Sequence, residues 1–158
     1  MHIAELVYLA GLVLTFSAIA SFTCFVRVVS ESMAPTLLVD DRLLVIRRAV
    51  LTRCFPARGQ IVVFTADAKS SEGGNSRRRM VKRVAATGGD SILVGDNVLA
   101  DGVRELKPVD VPAGGIYVLG DNQQVSRDSR EYGCIPSRQV TGLVVLVVWP
   151  LRRARVVR

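Results

Sequence analysis

The chain of 158 residues has one histidine, His2, and this scarcity restricts the chemistry open to it. In a Ser-His-Asp triad the histidine accepts the proton of the nucleophilic hydroxyl. Because His2 precedes a long apolar run at the extreme N-terminus, it cannot serve a site in the remainder of the chain. Such a triad is therefore excluded, and a nucleophilic serine would need lysine, aspartate or glutamate as its base.

Cysteine is also scarce, and the three residues present, Cys24, Cys54 and Cys134, are widely spaced. No CxxC pair occurs, so the sequence indicates neither a zinc site nor a disulfide framework. We expect unpaired thiols, no metal site and no cofactor.

Charged side chains are absent from Leu6 to Val26. About twenty apolar residues in a helix span the hydrocarbon layer of a bilayer, so we predict a transmembrane helix over about residues 6–26, within an N-terminal anchor of residues 1–28. The alternative is a cleaved secretory signal, because Ala18-Ile19-Ala20 is a small-x-small sequence. The lack of Lys or Arg before the run and its continuation past Ala20 favour a retained, single-pass anchor.

Basic residues outnumber acidic ones, which gives a formal net charge of +7. The basic clusters are Arg77-Arg78-Arg79 and the C-terminal tail of residues 151–158. Neither has the interleaved aromatic residues typical of nucleic-acid binding, so we expect no nucleic-acid partner. We expect the tail to contact anionic membrane lipid. Arg27, after the apolar run, would by itself place the following domain in the cytoplasm, but large domains are translocated regardless of one such charge.

The region from residue 29 to residue 150 is predicted to be a single, mainly β domain. Short apolar runs bounded by glycine or polar residues are typical of strands. We predict strands at Leu43–Ile46, Gly59–Phe64, Met80–Ala86, Ser91–Val94, Val98–Ala100, Gly115–Leu119 and Val140–Trp149. We predict turns at Gly88-Gly89-Asp90, Gly95-Asp96-Asn97 and Asp101-Gly102, and an exposed loop or hairpin tip over Asp67–Arg79.

Ser32 and Lys82 are the candidate reactive residues. Ser32 directly precedes Met-Ala-Pro just after the apolar run, and Lys82 lies in an otherwise apolar predicted strand. Burial disfavours an ammonium ion and lowers its pKa, so a buried lysine can act as a general base. The other lysines are poorer candidates, because Lys69 lies in the polar segment and Lys107 precedes a proline. The simpler interpretation is a turn hydroxyl and an outward-facing lysine.

Three segments in order, SESMAPTLLVDD from Ser30, MVKRVAATGGD from Met80 and GDNQQVSRDSREYG from Gly120, favour the reactive interpretation. Together they resemble the signature motifs of type I signal peptidases, the leader peptidase family. The resemblance implies a signal-peptidase-like β-sheet domain lying against the membrane. It also implies a Ser/Lys-dyad endopeptidase that removes signal peptides from translocated precursor proteins at small-x-small sites such as Ala-x-Ala.

The resemblance also assigns roles to residues. Ser32 corresponds to the nucleophile, Lys82 to the general base, and Ser30 to the residue whose hydroxyl joins the backbone N–H of the nucleophile in the oxyanion hole. In the third motif, Ser126 corresponds to the residue that hydrogen-bonds and orients the lysine. Asp128 and Arg130 correspond to an acid and a base that brace the loop.

Glu31 departs from this family pattern, which commonly has glycine between the paired serines. Its negative charge would oppose an oxyanion or raise the pKa of Lys82. A second departure, Gly88-Gly89-Asp90 in place of Pro-Gly-Asp, keeps the Gly-Asp turn and loses one fixed backbone angle.

Glu31 motivates an alternative function, a catalytically degenerate homologue that binds signal peptides or a translocase without cleaving them. A self-cleaving Ser/Lys protease of the repressor type is disfavoured by the anchor and by the lack of a DNA-binding region. A purely structural membrane protein would leave the ordered motifs unexplained. The resemblance implies a bacterial inner membrane with the catalytic domain on the extracytoplasmic side. A mitochondrial inner membrane is the other location considered, and no oligomeric state is predicted.

Overall fold

The computed structural model describes residues 3–50, 56–69, 75–98 and 104–157. Within them, the helices are α1 (Ile3–Phe22) and the short α2 (Ser129–Tyr132). The strands are β1 (Thr23–Arg27), β2 (Arg42–Arg47), β3 (Ile61–Lys69), β4 (Asn75–Thr87), β5 (Ser91–Val98), β6 (Arg104–Asp110), β7 (Gly115–Leu119), β8 (Ile135–Pro136), β9 (Val140–Trp149) and β10 (Arg155–Val156). Single 3-10 turns lie at Glu31–Met33, Arg48–Val50, Ser137–Gln139 and Leu151–Arg153.

Helix α1 is long and apolar enough to cross a membrane. Its 20 residues correspond to about 30 Å, the thickness of the hydrocarbon layer. No part of the 18-residue stretch Glu5–Phe22 is buried against the rest of the chain. The apolar surface of α1 therefore remains available to lipid.

The helix ends at Phe22, and the prediction that it extends to about residue 26 is wrong. Thr23–Arg27 is instead strand β1, which pairs antiparallel with β2, with Thr23 opposite Ile46 and Arg27 opposite Arg42. The β-branched and aromatic residues of this segment suit a strand, and a neighbouring strand edge decides their conformation. Cys24 therefore lies in the sheet and not in the apolar helix.

Most strands form one antiparallel sheet in the order β1-β2-β9-β3-β4-β7-β8. The predicted strand Val140–Trp149 is confirmed as β9, which pairs with β2 along one edge. On its other edge, β3 pairs with Val140–Leu143 and β10 pairs with Leu146 and Val147. Strand β9 therefore joins the part of the sheet that follows α1 to the part that carries Lys82.

Strand β3 is buried on both faces. Ile61 and Val63 lie in one apolar cluster with Met33 and Leu37, whereas Val62 and Phe64 lie in a second cluster on the opposite face. Alternate side chains of a strand point to opposite faces, so a continuous apolar run requires a core on both sides. This explains why no apolar–polar alternation marks this strand in the sequence.

The polar segment Asp67–Arg79 does not form a loop along its whole length. Strand β3 continues to Lys69 and β4 begins at Asn75, and their backbones pair up to the register Lys69 opposite Asn75. Backbone hydrogen bonds between two strands need no apolar side chains, so composition did not reveal this extension. The remainder of the expected loop or hairpin tip, residues 70–74, lies outside the described residues.

A second, two-stranded sheet consists of β5 and β6. The predicted turn at Gly95-Asp96-Asn97 is wrong, because β5 runs unbroken from Ser91 to Val98 with a shift of register between Gly95 and Asn97. One extra residue in a strand is accommodated as a bulge, and glycine is common at bulges. The partner β6 contains Lys107 and Pro108 and was not predicted. The expected strand over 98–100 and turn at 101–102 lie mainly outside the described residues.

The predicted turn at Gly88-Gly89-Asp90 is confirmed. Gly89 has a positive φ of 95°, and the Asp90 carboxylate accepts a hydrogen bond of 2.7 Å from the Thr87 backbone N–H. A φ in this region is unstrained for glycine. The Gly-Asp turn therefore reverses the chain between β4 and β5.

The C-terminal segment is part of the folded domain and not only a basic tail. Beyond the β10–β9 pairing, the Val157 N–H bonds to the Val145 carbonyl at 2.9 Å. Arg153 Nη2 lies 3.0 Å from Asp41 Oδ2, and the Asp41 side chain is 2% exposed. Asp41 also accepts a bond of 2.9 Å from the Leu38 N–H, so the pair ties the segment to the chain after Ser32.

Replacing Arg153 by glutamine should destabilise the domain. The change leaves the buried Asp41 carboxylate without its cation, and we expect the free energy of unfolding to fall by about 1–3 kcal/mol. Urea denaturation of the full chain in detergent micelles, followed by the fluorescence of Trp149, measures the loss.

Arg152→Gln is the matched control. Arg152 is exposed and adjacent in sequence, so its substitution should change the free energy of unfolding by less than about 0.5 kcal/mol. Equal effects of the two substitutions would show that the Arg153–Asp41 pair does not stabilise the fold.

Candidate active site

Ser32 lies in the 3-10 turn Glu31–Met33, between β1 and β2. The residues that follow it anchor this turn, because Met33 and Leu37 are almost fully buried and the Leu37 N–H bonds to the Met33 carbonyl at 2.8 Å. The Ser32 carbonyl accepts a bond of 3.1 Å from the N–H of Asn122, in the loop after β7. Ser32 is 7% exposed, and its position is therefore set by both the core and the third sequence motif.

Lys82 lies on β4 and its side chain points at Ser32. The Lys82 Nζ donates a hydrogen bond of 2.5 Å to Ser32 Oγ, and Lys82 is 4% exposed. The backbone of Lys82 lies opposite Val62 on the buried strand β3. The structure thus brings together the two residues that the sequence separates by fifty positions, and Lys82 is not an outward-facing lysine.

Burial lowers the pKa of Lys82 below the ordinary value of 10.5. The carboxylates of Asp128 and Asp121 act in the opposite direction, and the charge of Arg130 reinforces the decrease. The net direction favours the neutral amine, which is the form that can accept a proton from Ser32.

Ser30 lies on the other side of the Ser32 hydroxyl. The two Oγ atoms are 3.1 Å apart, within hydrogen-bond distance. Ser30 adopts an extended backbone conformation immediately before the turn. The Ser30 hydroxyl is therefore positioned beside the atom that would attack a substrate.

Asp128 is the centre of the hydrogen-bond network formed by the third motif. It accepts bonds from the Gly120 N–H at 2.9 Å, the Ser126 hydroxyl at 2.8 Å and the Arg130 Nε at 2.9 Å. Burial acts to raise the pKa of Asp128, but these hydrogen bonds outweigh it and hold the pKa below its usual range. The predicted bracing by Asp128 and Arg130 therefore corresponds to direct contacts within the loop.

Ser126 was expected to bond to Lys82. Among the described residues, the hydrogen bond of the Ser126 hydroxyl is to Asp128, and none joins it to Lys82. The hydroxyl lies against Gly120, where an added Cβ would also come within 2.6 Å of the Ser32 carbonyl oxygen. Glycine is thus required for the approach of the Ser126 loop to the Ser32 turn.

Arg83 and Asp121 belong to the site and were missed by sequence reasoning. Arg83 Nε and Nη2 donate to the two carboxylate oxygens of Asp121 at 2.9 and 2.7 Å. Burial acts to raise the pKa of Asp121, but hydrogen bonds from Arg83 and Thr36 outweigh it and lower the pKa. Their position in the motifs could have identified them, because Arg83 directly follows Lys82 and Asp121 directly follows Gly120.

A groove of about 500 Å³ leads to Ser32. Its lining residues are Ser30, Glu31, Ser32, Arg78, Arg79, Met80, Val125, Arg127 and Tyr132. Glu31, the residue that departs from the family pattern, is exposed in this groove.

One edge of β4 borders the approach to Lys82 without a strand partner. Strand β3 pairs with Asn75–Arg83 along one edge, whereas β7 pairs with the other edge only from Arg83 to Thr87. Within the described strands, the second edge of residues 75–82 is therefore free. A free edge presents backbone N–H and C=O groups to which an extended peptide can bond.

Potential metal ligands are not clustered in the part of the chain that the structure describes. Over the parts of the chain that the structure describes, no group of three or more His, Cys, Asp or Glu side chains could hold a metal ion. Cys24 and Cys134 are free thiols, and Cys54 lies outside the described residues.

Known proteins resemble the chain along most of its length. The sequence model of the family described as "Signal peptidase, peptidase S26" matches residues 1–105 and 100–149. Signal peptidase I of Leptolyngbya laminosa is 34% identical over 138 residues, which cover 78% of this chain and 68% of that protein. Mitochondrial ATP-independent inner membrane protease subunit 1b of Arabidopsis thaliana is 34% identical over 146 residues, which cover 85% of this chain and 81% of that protein.

A crystal structure of a signal peptidase I from Enterococcus faecalis V583 aligns with a TM-score of 0.42 and 21% identity, covering 56% of this chain and 95% of that one. The family match spans nearly the whole chain and includes all three motifs that carry the site. The chain belongs to the signal peptidase family, peptidase S26, whose members are serine peptidases that cleave signal peptides.

Proposed function

We propose that this protein cleaves signal peptides from translocated precursor proteins with a Ser32–Lys82 dyad. The observation that carries the proposal is the 2.5 Å hydrogen bond between two buried side chains, Lys82 Nζ and Ser32 Oγ. A nucleophile within hydrogen-bond reach of a base of lowered pKa is the arrangement required for covalent catalysis by serine.

The reaction proceeds through an acyl-enzyme. Lys82, in its neutral form, accepts the proton of Ser32 as the hydroxyl attacks the carbonyl carbon. Lys82 then donates that proton to the leaving amine, which releases the mature protein. A water deprotonated by Lys82 hydrolyses the ester, and the proton returns from Lys82 to Ser32.

Ser30 and the backbone N–H of Ser32 are the proposed oxyanion donors. The Ser30 hydroxyl is within 3.1 Å of the Ser32 Oγ and is therefore close to a carbonyl that bonds to that atom. Donors fixed before the reaction stabilise the developing charge without having to reorganise. Asp128, held by Arg130 and Ser126, fixes the loop that packs against the Ser32 turn.

The precursor binds as an extended strand along the free edge of β4. Such an addition supplies backbone hydrogen bonds irrespective of the substrate's side chains. Specificity then depends on small pockets beside Ser32, formed in part by Met80 and Val125. Pockets of this kind exclude large side chains and select small-x-small sites such as Ala-x-Ala.

The proposed location is a bacterial inner membrane, with α1 as a single-pass anchor and the β domain on the extracytoplasmic side. Exposed apolar side chains lie near the end of α1: Phe25 is 69% exposed and Val29 is 82% exposed. Leu38 and Val39 are exposed in the adjoining loop, where the Asp40 N–H bonds to the Val28 carbonyl. A surface of this composition next to an anchor suits contact with membrane lipid.

A second function is favoured by Glu31. Its carboxylate is exposed in the groove next to Ser32, where negative charge opposes an oxyanion. A protein that binds signal peptides or a translocase without cleaving them would keep the groove and tolerate this residue.

Substitution of the dyad should abolish cleavage of a precursor that carries an Ala-x-Ala site. We expect Ser32→Ala and Lys82→Ala to lower kcat by at least about a thousandfold, because the residues act as a unit. Glu31→Gly should raise kcat about two- to fivefold by removing a like charge near the oxyanion. The assay uses the full chain in detergent and follows the mature product by gel.

Glu31→Gln separates the effect of charge from that of the added Cβ. A wild type that is inert while Glu31→Gly cleaves would identify the protein as a binder with an altered turn. Undiminished cleavage by Ser32→Ala would exclude the dyad.

The pH dependence of kcat/KM should report Lys82. Only the neutral amine of Lys82 accepts the serine proton, so kcat/KM should rise with pH to a plateau. Because the pKa of Lys82 is lowered, the inflection of this curve should lie below pH 10.5. Asp121→Asn should move the inflection to lower pH, since the Asp121 charge raises the pKa of Lys82. Asp110→Asn, at an exposed position outside the site, should leave the inflection unchanged; an inflection that moves upward in Asp121→Asn would contradict the assignment.

Lys82→Met should remove activity yet stabilise the fold. An apolar side chain of similar length avoids the desolvation of a buried ammonium, and we expect a gain of about 0.5–2 kcal/mol in the free energy of unfolding at pH 7. A lysine whose folded pKa is lowered destabilises the protein below that pKa and ceases to do so as pH rises toward the unfolded value of 10.5. The difference between variant and wild type, measured by urea denaturation, should therefore shrink as the pH is raised.

A further inference from the structure

The groove that leads to Ser32 carries a strong excess of positive charge. Three of its lining residues are arginines, Arg78, Arg79 and Arg127, and the one acidic lining residue is Glu31. Arg78 and Arg79 are exposed. Arg127 is 77% exposed and lies 3.5 Å from Glu131, which is itself 51% exposed, so water screens this ion pair. These guanidinium groups therefore remain available to a ligand.

The arginines line the groove from two separate segments of the chain. Arg78 lies on β4, four residues before Lys82, and Arg127 follows Ser126 in the loop between β7 and α2. Side chains four positions apart on a strand lie on the same face, about 13 Å apart. A peptide bound along the free edge of β4, with its scissile bond at Ser32, would thus bring a residue about four positions from that bond beside Arg78, in the groove that Arg127 also lines.

We propose that Arg78 and Arg127 form a subsite that selects precursors with an aspartate or glutamate about four residues from the scissile bond, on the half of the substrate that lies along β4. This inference rests on the proposed peptidase function and adds a charge requirement to it. Guanidinium groups bind carboxylates with two parallel hydrogen bonds, which gives both attraction and geometric specificity. Arg79, which lines the same groove, adds to the positive potential there.

The test compares paired precursors that differ only by Glu or Gln, with the substitution moved through five positions on each side of an Ala-x-Ala site. At low salt we expect the Glu precursor to show a kcat/KM about three- to tenfold higher at the position that reaches the subsite, the range expected of two exposed ion pairs. The preference should decline at about 0.5 M salt, where exposed charges are screened. Neutral detergent avoids interference from charged lipid.

Variants assign the preference to the subsite. Arg78→Gln together with Arg127→Gln should bring the Glu-to-Gln ratio close to one, and replacement of both by Glu should invert it in favour of a lysine-bearing precursor. Arg152→Gln, at an exposed position outside the groove, should keep the wild-type ratio. A ratio near one at every position in the wild type, or an unchanged preference in the double variant, would overturn the proposal.

A binding measurement separates this proposal from the peptidase function itself. Fluorescence anisotropy with labelled Glu and Gln peptides and the Ser32→Ala variant reports affinity without cleavage. A Glu preference that disappears with the two Gln substitutions supports the subsite even if wild type cleaves neither precursor. Equal affinities would refute the subsite even if wild type cleaves both precursors.

Discussion

Burial of the Lys82 amine against the Ser32 hydroxyl is the constraint on which the site depends. An ammonium ion removed from water is disfavoured, so the surrounding apolar strands lower the pKa of Lys82 and favour the form that can accept a proton. The same burial opposes folding, and the protein has to hold Lys82 in place through the packing of β3 and β4. Reactivity and local instability thus have one physical origin.

Two carboxylates carry charges that raise the pKa of Lys82, and each forms an ion pair with an arginine. Asp128 is paired with Arg130, and Asp121 with Arg83. If either carboxylate were free to pair with Lys82, its charge would stabilise the ammonium and raise the pKa. The arginines limit this rise in the pKa of Lys82, and the carboxylates hold the backbone in place. The network therefore sets both the charge of Lys82 and the geometry around it.

The sheet determines where this chemistry takes place. Strand β1 follows α1 directly and pairs with β2, which ties the Ser32 turn to the apolar helix within ten residues of chain. Strand β9 links β2 to β3 and so to β4, which carries Lys82. The free edge of β4 then opens onto the arginine-lined groove. In the proposed binding mode, an extended peptide reaches Ser32 by continuing the sheet.

Several features of the protein followed from its sequence alone. Local patterns identified the apolar run of α1, the buried strand β9 and the turn at Gly89. The family motifs identified Ser32 and Lys82 as partners. The count of histidines was also informative. Because the single histidine is at the N-terminus, a serine nucleophile in the β domain has no imidazole base. Other features were decided only by tertiary structure. A neighbouring strand edge decides where α1 ends, how far β3 and β4 extend and where the bulge at Gly95 lies. A buried charge, that of Asp41, decides where Arg153 docks. The partners of Ser126 and Arg83 were hidden for the same reason, since a hydrogen bond between residues distant in sequence leaves no local pattern in either segment.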